Sequence, residues 1–161
     1  AIAAWGLGYQ ARIVDPSYQL LAEGDLAAAA WVREHVPPDE KVFVNSFPAY
    51  ADSVYVGTDG GWWLPFLSGR RTNLDPISYG FEAAEEPDYM QLVIDRNRAV
   101  LDHPVDSPEA AAALRAGGYA YLYDGPAANP ADEYLDPARI DASPLYERVY
   151  AAEGVTIWRV R

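Results

Sequence analysis

The 161-residue chain contains no cysteine, which excludes disulfides and thiolate metal sites. Histidine is almost as scarce, with His35 and His103 far apart. Pro37-Pro38 separate His35 from Asp39, so the two cannot share a helix face as metal ligands. His103 has no His, Asp or Glu four residues away on either side. A Ser-His-Asp site has little to draw on, and no GxSxG elbow occurs. Neither GxGxxG nor GxxxxGK[ST] is present, so the common phosphate loops are missing. Lys41 is the only lysine, and 12 Lys and Arg against 24 Asp and Glu give a net charge of −12. Such a surface repels phosphate backbones, which argues against nucleic acid as a partner. No run reaches the roughly 18 apolar residues of a membrane span, and the start lacks the basic region of a signal peptide. No catalytic residue, metal ligand or cofactor is assigned from the sequence.

Half of the residues are hydrophobic and 13% are aromatic, a composition that folds. The length fits one domain. Residues 1–24 read as an apolar N-terminal arm or membrane-proximal segment, and 25–161 as a single α/β domain. The opening Ala1-Ile2-Ala3-Ala4-Trp5-Gly6-Leu7-Gly8-Tyr9 suits a buried arm, or the tail of a transmembrane helix with an interfacial Trp/Tyr belt.

Asp25 reads as the N-cap of a helix through about His35. Ala28, Trp31, Val32 and Val36 form its apolar stripe, and Pro37-Pro38 end it. Lys41 to Asn45 reads as a short buried strand. Trp62 to Leu67 suits a short helix, with Gly60-Gly61 before it and Gly69 as C-cap. Arg71 to Leu74 suits a short strand stopped by Asp75-Pro76. Glu82 to Leu101 is expected to be helical, with Pro87 near the first turn of its main segment. Ser107 and Pro108 open another helix, which Gly117-Gly118 end ahead of a strand from Tyr119 to Tyr123. Asp124 to Asp132 reads as a loop, and Asp136 as the N-cap of a helical turn. Tyr146 to Tyr150 and Val155 to Val160 alternate apolar and polar residues around Glu153-Gly154, the pattern of an antiparallel hairpin. The expected fold is α/β, a small mixed sheet with helices on its faces and a C-terminal hairpin.

Asp59 to Arg71 is the most distinctive segment. Asp59, Trp62, Trp63, Arg70 and Arg71 are its candidate ligand-binding residues. Indole faces stack on sugar rings, while Arg and Asp hold hydroxyls. The alternative is packing, with one Trp in the core, the other under a loop and Arg70 paired to a carboxylate. Asp52 and Asp59 flank aromatic residues, which leaves a small acid-dependent hydrolase as a further reading.

Four segments carry a resemblance: Ala28 to Asp39 with the strand from Lys41; Gly60 to Arg71 leading into Thr72-Asn73-Leu74; Leu114 to Tyr123; and Leu145 to Tyr150 with Val155 to Val160. Their order resembles the C-terminal extracytoplasmic domains of polytopic bacterial membrane glycosyltransferases, the lipid-phosphosugar-using class related to the protein mannosyltransferases. The resemblance implies a non-catalytic accessory domain outside the cytoplasmic membrane, contributing to acceptor or glycan binding. Its partners would be the transmembrane portion of the same polypeptide and a glycan or glycolipid. That family's catalytic acids lie between transmembrane helices, so none transfers to this chain. A stand-alone carbohydrate-binding module is the other reading of the same residues.

Overall fold

The computed structural model describes residues 21–51, 53–74, 88–126 and 134–161. The apolar start, Asp52, the Asp75-Pro76 stop, residues 82–87 of the expected helix and most of the loop after Asp124 lie outside these.

Helix α1 runs Glu23–His35. Its alanine-rich middle favours the helix. Glu23 and Asp25 in the first turn and Arg33 and His35 in the last complement its dipole. It begins earlier than Asp25 suggests: Ala22 is the N-cap residue, and Asp25 reaches back from the third helical position to accept the Ala22 N–H at 2.6 Å. An acid at that position satisfies an orphan donor as well as an N-cap would. Val36 turns extended ahead of Pro37 and ends the helix.

Strand β1 (Lys41–Val44) follows, then the hairpin of β2 (Ser46–Ala49) and β3 (Val54–Gly57). A 3-10 turn at Gly60–Trp63 leads into α2 (Leu64–Ser68), which Gly69 closes at φ 71°, a left-handed cap that glycine adopts without strain. Then come α3 (Tyr89–Leu101), α4 (Pro108–Ala116), β4 (Tyr119–Asp124), α5 (Pro137–Ala142), β5 (Tyr146–Ala152) and β6 (Val155–Val160). Ser107 accepts the Ala110 N–H, and Asp136 accepts those of Ala138 and Arg139, so both expected N-caps are in place.

The main sheet has the order β1-β4-β6-β5, with β1 and β4 parallel and the other pairs antiparallel. This is the expected mixed α/β fold. Alternation along the strands splits the core. Val42, Val44, Tyr121, Tyr123 and Ile157 meet Ala28, Ala29, Val32 and Val36 of α1. Phe43, Leu122 and Trp158 face the other way, against Leu114 of α4, Val100 of α3 and Ile140 of α5. A sheet buried on both faces needs apolar runs rather than strict alternation, as Val42-Phe43-Val44 shows.

The free edge of β1 is covered rather than open. The Val42 N–H donates to the Arg71 carbonyl at 3.0 Å, and Val42 and Thr72 form an isolated parallel bridge. The Asn73 side chain then replaces a strand residue: its Oδ1 accepts the Val44 N–H at 2.8 Å, and its Nδ2 donates back to the Val44 carbonyl at 3.2 Å. The expected strand from Arg71 to Leu74 is thus one bridge continued by an amide side chain. Asn73 also donates to Asn97 Oδ1 at 2.8 Å, and Asn97 returns a bond to the Asn73 carbonyl. Both side chains are buried, so segment 71–74 is fixed to β1 and to α3 at once.

Candidate functional site

Three pieces of chain converge beside that edge. The 3-10 turn and α2 bring Trp62, Trp63, Pro65 and Phe66; β1 and segment 71–74 bring Lys41, Arg71, Thr72 and Leu74; α3 brings Tyr89 and Arg96. Together they line a cleft of about 840 Å³, within the size range of small-ligand sites.

The aromatic wall follows from the shortness of α2. A five-residue helix preceded by one 3-10 turn cannot bury Trp62, Trp63, Leu64, Phe66 and Leu67 together. Leu64 takes the core position, leaving Phe66 85% and Trp63 47% exposed. Trp62 is half-buried over Gly57 and Leu74. A Cβ at Gly57 would sit 2.8 Å from the Trp62 Cβ, so glycine there lets the indole lie close to β3.

The lining is also cationic. Lys41 Nζ donates to the Gly117 carbonyl at 2.9 Å and sits 5.4 Å from the Tyr119 ring centroid. Burial lowers the Lys41 pKa, and the charges of Arg71 and then Arg96 lower it further. Arg71 is exposed, with one long bond of 3.4 Å to the Asp39 carbonyl. The ion pairs among the described residues join Arg139 to Asp106, Arg148 to Asp141 and Arg161 to Glu147. Lys41, Arg71 and Arg96 take no part in them.

The five candidate residues therefore separate. Trp62, Trp63 and Arg71 line the cleft. Arg70 does not: its guanidinium donates to the Val36 carbonyl at 2.7 Å, to Arg33 at 2.7 Å and to Ser68 at 3.3 Å. It caps the last carbonyls of α1 instead of pairing with a carboxylate. Arg70→Ala should lower stability by about 1–3 kcal/mol through those unpaired carbonyls. Urea unfolding checks this, with the chemical shifts of cleft residues unchanged.

Asp59 has no solvent exposure. It caps the 3-10 turn by accepting the Gly61 N–H at 2.8 Å, and it accepts from Gly125 N at 3.0 Å and Asn45 Nδ2 at 3.3 Å. Asn45 Nδ2 also donates to Asp124 at 2.7 Å. Nearby, Asp25 accepts the Tyr123 hydroxyl at 2.6 Å. Gly60 brings the turn against α1, since a Cβ there would lie 2.2 Å from Asp25 Cγ. This knot ties α1, the 3-10 turn and the end of β4 together. Among the described residues no group of three or more His, Asp or Glu side chains could hold a metal ion.

Sequence reasoning did not select Lys41, Phe66, Thr72, Tyr89 or Arg96. The one available signal was that Lys41 is the only lysine in an acidic chain.

No family model and no curated protein matches the chain. Among solved structures, the C-terminal globular domain of an oligosaccharyltransferase from Archaeoglobus fulgidus is similar, with a TM-score of 0.51 and 13% sequence identity. The match covers 88% of this chain and 99% of that domain. At this identity the likeness is one of fold. Among the described residues no helix is long and apolar enough to cross a membrane.

Proposed function

We propose that this chain is a non-catalytic accessory domain of a polytopic bacterial membrane glycosyltransferase of the lipid-phosphosugar-using, protein-mannosyltransferase-like class. In this reading it sits on the extracytoplasmic side, joined to the transmembrane portion of the same polypeptide, and its cleft holds a glycan or glycolipid. The observation that carries the binding role is the cleft itself, where exposed Trp63 and Phe66 and half-buried Trp62 share the lining with polar donors. Exposed aromatics around a concave surface are a binding feature more often than a folding one. The fold likeness to an oligosaccharyltransferase domain supports the setting. So does the order of the four sequence segments.

Replacing Trp62 and Trp63 together by alanine should weaken binding of short neutral oligosaccharides at least tenfold. Titration followed through indole and backbone amide shifts measures it. A double variant that binds as tightly as the parent removes the cleft from this role. Fractionation of cells making the complete gene product tests the setting: recovery with the membrane supports it, and recovery as a free soluble protein rejects it.

A further inference from the structure

The geometry points to an anionic saccharide, a sugar carrying a phosphate or carboxylate group, as the ligand of the cleft. Its acid group would lie among Lys41, Arg71 and Arg96, and its ring against Trp62 and Trp63. The inference rests on the reading above that the cleft binds a glycan, and it adds the charge of that glycan.

Acids outnumber bases 24 to 12 in this chain, yet the described residues lining the cleft include three cations and no Asp or Glu. A quarter of all the basic side chains thus face one cavity, against the sign of the whole protein. Like charges brought together oppose folding, and a bound anion relieves them. The depressed Lys41 pKa records that repulsion, after burial, in the direction an anion would reverse.

One of the three Lys41 N–H groups is taken by the Gly117 carbonyl, leaving two. Arg96 stands exposed on α3, and among the described residues the Arg71 guanidinium makes the one long bond to the Asp39 carbonyl. Two guanidinium forks and one ammonium suit the planar or tetrahedral oxygens of a carboxylate or phosphate, which arginine grips in bidentate fashion.

The Val42–Thr72 bridge sets Lys41 and Arg71 side by side across the strand edge. The Asn73–Asn97 bonds fix that edge to α3 one residue from Arg96. The backbone positions that carry the cations are fixed before any ligand arrives, which reduces the ordering cost of binding.

The test is a titration of the 161-residue chain with mannose 6-phosphate, glucuronic acid, mannose and inorganic phosphate, read by nuclear magnetic resonance. Both charged sugars should bind at least tenfold more tightly than mannose. Raising the salt from about 0.05 to 0.5 M should erase most of that preference. Arg96→Gln and Arg71→Gln, both at exposed positions, should each reduce that preference several-fold. Equal affinity for mannose and the charged sugars would overturn the anionic inference and leave the glycan reading standing. Inorganic phosphate binding as tightly as mannose 6-phosphate, with the Trp62 and Trp63 indoles unmoved, would overturn the saccharide part. Failure of all four ligands to shift any cleft residue would overturn this inference and the glycan reading together.

Discussion

Asn45→Ala should be among the most damaging single changes in this protein, lowering stability by roughly 3–6 kcal/mol through several buried polar groups left unpaired. Asn45 is fully buried and all of its bonding is long-range. Its Oδ1 accepts the N–H groups of Tyr134 and Leu135 at 3.2 and 2.8 Å. Its Nδ2 donates to Asp59 and Asp124. Alanine would orphan two backbone donors and remove the shared donor from between two carboxylates. The segment at Tyr134–Leu135 would lose its tether to β1, although Leu135 contributes to the second core. Tyr134 anchors the same segment through its hydroxyl, which donates to the His103 carbonyl at 2.6 Å. Against a typical total of about 5–15 kcal/mol, such a loss would move the urea midpoint by roughly 1–2 M. Asn45→Asp separates the acceptor side of this residue from its donor side. It keeps the acceptor for Tyr134 and Leu135 but sets a third carboxylate against Asp59 and Asp124, so its cost should grow from pH 5 to pH 8. A cost the same at both pH values would show that the donor side of Asn45 contributes little.

The strands β1, β4, β5 and β6 were legible because each carries its own local signal. Apolar β-branched and aromatic runs mark the first two, and alternation around Glu153-Gly154 marks the hairpin, where both turn residues take positive φ. The caps at Ser107 and Asp136 were equally local. The β2–β3 hairpin was not legible. Pro48 interrupts β2, and its turn places Tyr50 and Ala51 at positive φ, residues that give no turn signal. The start of α1 was misplaced because an acid is favoured at the third helical position as well as at the N-cap, and there it accepts the N–H of the N-cap residue instead.

The cleft divides along the same line. Trp62 and Trp63 stood out as neighbours in sequence, and segment 59–71 carries them both. Arg70 and Arg71 looked equivalent. Side chains of successive residues in an extended segment point to opposite sides, and here one serves α1 while the other faces the cleft. Lys41 and Arg96 join Arg71 only through the β1 edge and the Asn73–Asn97 contact, a relation between residues far apart in the chain that no spacing rule could expose.

Raising the pH should destabilise this protein through Asp59, whose carboxyl is pushed up from 3.8 to about 7. Burial is the main cause, helped by the charge of Asp25. The bonds from Gly125, Gly61 and Asn45 favour the ionised form and hold the rise in check. Because the folded value lies above the unfolded one, the unfolded chain gives up this proton first. The stabilisation is therefore fully present below about 3.8, and is lost as the pH climbs through about 7. The span corresponds to a loss on the order of 4 kcal/mol from this one group. Urea unfolding at pH 5 and pH 8 should show the parent chain less stable at the higher value. Asp59→Asn should remove most of that slope. The amide oxygen can still cap Gly61, but Nδ2 would face the Gly125 N–H and the Asn45 amide, so the variant should start lower, by about 1–3 kcal/mol at pH 5. At pH 8 the difference should narrow or reverse, because the parent then carries a buried charge that asparagine does not. A slope unchanged in Asp59→Asn would move the pH dependence to another group, and would mean that its three donors are enough to keep Asp59 ionised throughout this range.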